Sequence, residues 1–274
     1  MADITSADVV KLRKATGAGM MDCKKALQEA EGDFDKAVEV LRRKGQAIAS
    51  KRADREAGEG NVQAKVEGNF GAIVALNCET DFVAKNEDFV KLNSSILDLA
   101  IIEKPADREA LKALPLDGKT LGEMVAEKSG VIGEKVEVAY YDFIEAEKVA
   151  AYNHFSNNLS TLVGFNKPDV DEQVARDVAM QVAAMSPIAV DRDDVPEEVT
   201  AKEKELGRQK AIQEGKPENI VDRIAEGMVN KYIKENTLMN QAFTKDSKKT
   251  VGQYLKESDK ELKVTGFKRY SVKE

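Results

Sequence analysis

At 274 residues the chain is long for a single hydrophobic core, so two or more domains are expected. Charged residues make up 33% and hydrophobic residues 42%, an ordinary water-soluble balance, and the net charge of −7 at pH 7 argues against a protein that follows a phosphate backbone, so no nucleic-acid partner is expected. No apolar run reaches the about 18 residues of a membrane span, the start Met1-Ala2-Asp3-Ile4-Thr5-Ser6 lacks the regions of a signal peptide, and Cys23 and Cys78 are too few and too far apart for a disulfide framework or a zinc site. The expectation is a cytoplasmic chain with no membrane partner, metal or cofactor.

Glycines punctuate residues 1–45. A first helical pattern follows the capping candidates Thr5 and Ser6, carries Val9, Val10 and Leu12, and should end near Thr16-Gly17. Asp22 opens a second helix that stops at Glu31-Gly32. Asp33 caps a third, with Ala37, Val38 and Leu41 inside, ending at Lys44-Gly45. Helices this short need each other, which predicts a compact three-helix module. Between the first two lies Thr16-Gly17-Ala18-Gly19-Met20-Met21-Asp22. Either methionine alone is expected to plug the small core. Neighbours at a helix start point about 100° apart, so both cannot face inward, and an exposed, flexible methionine suits an irregular apolar surface. The glycines make a weak phosphate loop, since no strand precedes them and no Gly-Lys-Ser/Thr follows.

Residues 46–60, rich in Ala, Lys, Arg, Glu and Gly, read as a linker in which Lys51, Arg52 and Arg55 are solvated charge. Residues 61–67 alternate as a half-buried strand, Gly68-Asn69-Phe70-Gly71 turns, and 72–78 return as an apolar strand. A helix over 80–99 should carry Phe89, Leu92, Ile96 and Leu99 on one face. Short helices are predicted at 106–114 and 121–128, and another strand at 135–140. The plan then recurs: strand 148–154, a turn at 155–158, strand 159–165, helix 174–184. This predicts two related α/β subdomains.

Pro196-Glu197-Glu198 starts a helix that Gly215-Lys216-Pro217 stops and restarts. The second helix carries an apolar stripe from Ile220 to Ile233, which should pack on the first as an antiparallel neighbour. The first helix offers only Val199, Leu206 and Ile212, so part of the stripe is free for another surface. A short helix at 250–255 and a closing strand at 262–270 finish the chain. The domain plan is therefore a module at 1–45, a linker at 46–60, a core subdomain at 61–147, a second at 148–195 with 236–274, and an inserted helical hairpin at 196–235. The fold class is α+β.

Two segments, Leu12-Arg13-Lys14-Ala15-Thr16-Gly17-Ala18-Gly19-Met20-Met21-Asp22-Cys23-Lys24-Lys25-Ala26-Leu27 and Asn77-Cys78-Glu79-Thr80-Asp81-Phe82-Val83-Ala84-Lys85, resemble the elongation factor Ts family, and Gly215-Lys216-Pro217, Gly227-Met228, Lys231 and Gln241-Ala242-Phe243 resemble its C-terminal half. The likeness spans essentially the whole chain. Ala75 departs from the family, which usually has Glu there, and Thr244-Lys245 stands where some members carry apolar residues.

The resemblance implies an N-terminal module like the ubiquitin-associated (UBA-like) fold, a core of two related α/β subdomains with antiparallel sheets, and a helical hairpin that can form a homodimer. It also implies a non-enzymatic guanine nucleotide exchange factor whose partner is elongation factor Tu, GDP-bound and nucleotide-free. By the same resemblance Asp81 and Phe82, within Thr80-Asp81-Phe82-Val83, intrude on the partner's Mg²⁺ site, Met20, Met21 and Lys24 contact its GTP-binding domain, and Ile132-Gly133 and His154 add contacts. From the residues alone, Thr80 caps a helix start, Asp81 suits the helix dipole, and Phe82 either projects as an apolar wedge or, the favoured reading, fills the local core. Two rivals remain open. One is a thiol enzyme in which His154 activates Cys23 or Cys78, against which Cys78 in an apolar strand reads as structural. The other is an adaptor that binds proteins without releasing nucleotide.

Overall fold

The computed structural model describes residues 4–116 and 118–273. The first three helices are α1 (Ser6–Thr16), α2 (Met20–Glu29) and α3 (Phe34–Lys51). Thr5 and Asp8 close a reciprocal capping box on α1, and Gly17 ends it with φ of 71° in the left-handed region. Their shared core is Val9, Leu12, Ala18, Cys23, Ala26, Leu27, Ala30 and Ala37. No methionine among the described residues belongs to it. Met20 is 38% and Met21 65% exposed, which overturns the expectation that either one alone fills this core.

Helix α3 also departs from expectation, running through Gln46 to Lys51 instead of stopping at Gly45. Gly45 lies in mid-helix, where another backbone packs against it, as described below.

The chain continues through β1 (Glu59–Glu67), β2 (Phe70–Cys78), α4 (Asp81–Ala84), α5 (Glu87–Glu103), α6 (Arg108–Ala113), β3 (Pro115–Leu116), β4 (Lys119–Thr120), α7 (Leu121–Ile132) and β5 (Glu137–Glu145). The single helix expected over 80–99 is two. Asn86 accepts from the amides of Asp88 and Phe89 and restarts the helix as α5. The buried face of α5 centres on Asn93 with Phe89, Ile96, Leu97 and Ala100, not on Leu92 and Leu99. A polar residue is tolerated there because the Asn93 amide donates to Asn61 O and Asn61 Oδ1, each at 2.9 Å.

After β6 (Lys148–Asn153) and β7 (Leu159–Phe165) come α8 (Glu172–Met185), α9 (Glu197–Gln213), α10 (Glu218–Asn236), β8 (Ala242–Phe243), β9 (Asp246–Thr250), α11 (Val251–Ser258) and β10 (Val264–Ser271). One sheet has the order β1-β2-β5 and another β10-β7-β6, so in each the third strand joins the return strand of the hairpin. β6 and β7 pair antiparallel, Lys148 opposite Phe165 and Asn153 opposite Ser160. This α+β topology carries the repeated plan read from the sequence.

The chain divides into two compact units, Met1–Gln63 with Val74–Asp142 and Ser271–Glu274, and Ala64–Ile73 with Phe143–Tyr270. The core of the second joins Val163, Phe165 and the α8 face Val174, Val178 and Val182 to Leu238, Phe243, Leu255 and Val264. In its α9–α10 hairpin the stripe residues Val221, Ala225, Val229 and Ile233 are buried. A methyl carbon on Gly207 would lie 3.0 Å from the Ala225 Cα, which shows how closely the two helices pack. Leu206 and Ile212 remain exposed.

Candidate partner-binding surface

Strand β2 is buried along its whole length and ends at Cys78. The chain then turns through Glu79 and Thr80 into the single helical turn α4. Thr80 is extended at φ −125° and ψ 152°, and its hydroxyl faces the Val83 amide at 3.5 Å. Phe82 follows at 84% exposure. The core-filling reading of Phe82 therefore fails: the buried side chain of α4 is Ala84, two residues on. Asp81 is half-buried, and its carboxylate accepts from Lys85 at 2.6 Å across one turn. That bond holds the Asp81 carboxyl below its usual range.

Two carboxylates, neither assigned a role by the sequence reading, frame this turn. Glu134 accepts from the amides of Glu79 and Thr80 at 3.1 and 3.0 Å and from the Thr80 hydroxyl at 2.7 Å. Glu79 accepts from the Lys135 amide at 2.6 Å, from Arg52 at 2.8 Å and from Arg55 at 3.0 Å. Arg52 and Arg55 are thus not merely solvated charge: they tie the segment after α3 to the base of the turn. Led by the Lys135 amide, these donors outweigh burial and pull the Glu79 carboxyl from 4.5 down to about 2.

The sign follows from that depression. A carboxylate with a lowered folded value keeps its bonds above its ordinary value of 4.5 and loses them as pH falls through about 2. In an NMR pH titration, the Lys135 amide resonance should hold its position through the usual carboxylate range and move with a midpoint near 2. A midpoint near 4.5 would mean that the frame does not hold Glu79.

Glu134 directly follows Ile132-Gly133. Gly133 ends α7 with φ of 80°, its amide donating to Ser129 O at 2.9 Å. Ile132 and Gly133, both half-buried, are thereby joined to the Thr80 turn through Glu134. Met20, Met21 and Lys24 are exposed at the start of α2. The loop leading into them also meets α7, since a methyl carbon on Gly17 would lie 3.7 Å from the Val131 side chain. Three of the predicted segments in this unit therefore converge on the C-terminal turn of α7.

His154 belongs to the other unit, at the tip of the β6–β7 hairpin. Its Nδ1 lies 2.6 Å from the Ser156 hydroxyl, and its ring is 4.3 Å from that of Phe155, which is 89% exposed. The sequence reading passed over Phe155 as a turn residue. The base of the tip is held by Asn153, whose side chain accepts from the Ala64 amide at 2.7 Å and donates to the Ala64 carbonyl at 2.9 Å.

Burial pushes the Cys78 thiol up to about 12, with Glu134 adding to the effect, and its Sγ donates to Thr80 O at 3.2 Å. Such a thiol is not a thiolate at neutral pH, which disfavours nucleophilic chemistry there. Cys23 is buried too. Among the described residues no cluster of His, Cys, Asp and Glu could hold a metal ion, and no helix is long and apolar enough to cross a membrane.

Ala75 is fully buried within β2. Lys245 reaches from the β8–β9 turn to the buried carboxylate of Asp177 at 2.6 Å. Gln241 is buried, donating to Met185 O and Glu235 O at 3.2 and 3.1 Å, so the Gln241-Ala242-Phe243 motif closes the fold locally.

The family described as Elongation factor TS matches residues 79–274. Elongation factor Ts of Porphyromonas gingivalis is 50% identical over 270 residues, covering 98% of both chains. The protein of that name from Azobacteroides pseudotrichonymphae is 51% identical over 269 residues, also with 98% of both chains covered. The one from Christiangramia forsetii is 47% identical over 275 residues, covering 99% of this chain and 100% of its own.

Proposed function

This chain belongs to the elongation factor Ts family, and from that premise we propose that it is a nucleotide exchange factor that binds GDP-loaded elongation factor Tu and releases the GDP without covalent chemistry. A GTPase holds GDP through backbone amides around the phosphates and through Mg²⁺ on the phosphate oxygens. Dislodging the metal leaves that negative charge poorly neutralised. A protein that binds the empty GTPase more tightly than the loaded one must weaken the nucleotide by the same factor. GTP then displaces it, and nothing is consumed.

The observation that carries this reading is an apolar ring standing free on a braced turn. Phe82 projects from α4 while Glu79 and Glu134 hold the backbone beneath it. An unsupported loop would spend part of its binding energy on ordering itself, whereas a braced one delivers the ring already placed. Asp81 stands beside it, and its exposed pair with Lys85 is cheap to exchange for a partner group. Met20, Met21 and Lys24 supply further contact from α2, and Ile132-Gly133 and the His154 tip add to it, because one wedge cannot provide a whole interface.

The test is release of fluorescently labelled GDP from elongation factor Tu. Adding the protein should accelerate release to a plateau, with the nucleotide leaving as intact GDP. Binding without acceleration would favour the adaptor reading and overturn this one.

A further inference from the structure

Helix α7 touches each part of the first unit that carries a proposed contact. Gly130 meets Gly45 of α3, Val131 lies beside the loop into Met20-Met21, Gly133 ends the helix, and Glu134 holds the Thr80 turn. The α3–α7 crossing is unusually close: a methyl carbon on Gly130 would sit 2.2 Å from the Gly45 Cα. Arg42 flanks it, with Nη2 at 3.1 Å from Glu123 and Nε at 3.1 Å from Glu127. Lys119 pairs with Glu127 on the other side.

We propose that the Gly45–Gly130 crossing is a positioning clamp, which holds Met20-Met21 and Phe82 at one fixed separation so that both meet the partner as a single preformed surface. This rests on the proposed exchange function. Its physical basis is pre-organisation: two contacts on one rigid body bind as a unit, while a loose module must be found and ordered separately. The two glycines are not equivalent. A methyl carbon on Gly45 would lie 3.4 Å from Glu127 Cα and O, an ordinary contact, whereas one on Gly130 has no room. Alanine favours helix at both positions, so any loss in Gly130→Ala comes from the crossing and not from α7 itself.

The experiment uses the full chain with spin labels on Gln28→Cys and Glu103→Cys, both exposed positions, while the native cysteines are buried. Gly130→Ala should broaden the inter-label distance distribution and raise the concentration giving half-maximal GDP release by about tenfold or more. The release rate at saturation should stay within about twofold of the parent, since Phe82 and its frame are intact. Gly45→Ala should match the parent in both measurements. If Gly130→Ala does not fold, Arg42→Glu carries the same test by turning attraction to Glu123 and Glu127 into repulsion. A narrow distribution in the clamp variant, or a broad one with unchanged half-maximal concentration, overturns the proposal. Failure of the underlying function shows separately, as a parent protein that does not accelerate release.

Discussion

Phe82→Ala is expected to slow stimulated GDP release by roughly tenfold to a hundredfold, with the thermal unfolding midpoint of the protein unchanged. The rate estimate follows from burying one phenylalanine in a partner pocket, worth about 1.5–3 kcal/mol, when about 1.4 kcal/mol corresponds to a factor of ten. The stability expectation follows from 84% exposure, which leaves no core contact to lose. Phe82→Leu should retain part of the activity, because an apolar group of intermediate size still enters the same space. The measurement is stopped-flow release of labelled GDP at saturating protein, alongside a melting curve. A full rate in Phe82→Ala would remove this ring from the mechanism, and a lowered melting point would mark it as a core residue after all. The defect differs in kind from that of the clamp variant: it lowers the plateau, whereas loosening the Gly45–Gly130 crossing shifts the concentration needed to reach it.

How far such a site can be read from sequence is clear in its glycines. Gly17 and Gly133 both end helices at positive φ, and Gly17 was legible because a capped apolar pattern stops there. Gly45 carries the same local signal and means something else. It lies inside α3, where its backbone fills the space that a side chain on Gly130, distant in sequence, would need. Nothing local separates a helix stop from a helix crossing. The restart of α5 was within reach, since Asn86-Glu87-Asp88 is a capping residue followed by acidic residues, and the continuous apolar pattern hid it. The frame around Thr80 was not. The Arg52–Arg55 pair, Glu79 and Glu134 lie far apart in a chain that is 33% charged, and no spacing rule pairs them. Motif resemblance picked out Phe82. Only the folded backbone shows what braces it.

The largest stability effect is expected at Asp177, a 5%-exposed carboxylate on α8. It accepts from Lys245 and Gln173 at 2.6 Å each and from the Tyr254 hydroxyl at 3.0 Å. Tyr254 in turn stacks on Phe243 with ring centroids 4.2 Å apart, so the cluster ties α8 to the β8–β9 turn and α11. Burial alone would raise the Asp177 carboxyl, but the three donors outweigh it and the net shift is downward. Its stabilisation is therefore complete above its ordinary value of 3.8 and is lost as pH falls through the lowered one. Lys245→Met removes the charged donor and leaves a buried carboxylate facing two neutral ones, a cost of about 1.5–3 kcal/mol at neutral pH. The carboxyl then loses the lysine's downward pull while burial still raises it, so its value moves up, and the variant's deficit is full where Asp177 is ionised and shrinks in acid. Adding Asp177→Leu should recover much of the loss, since an apolar pair no longer strands a charge. Urea melts of parent, single and double variants at neutral and acidic pH decide the matter. A deficit that persists undiminished in acid, or a double variant no better than Lys245→Met, would show that packing of the lysine stem rather than its charge holds this corner together.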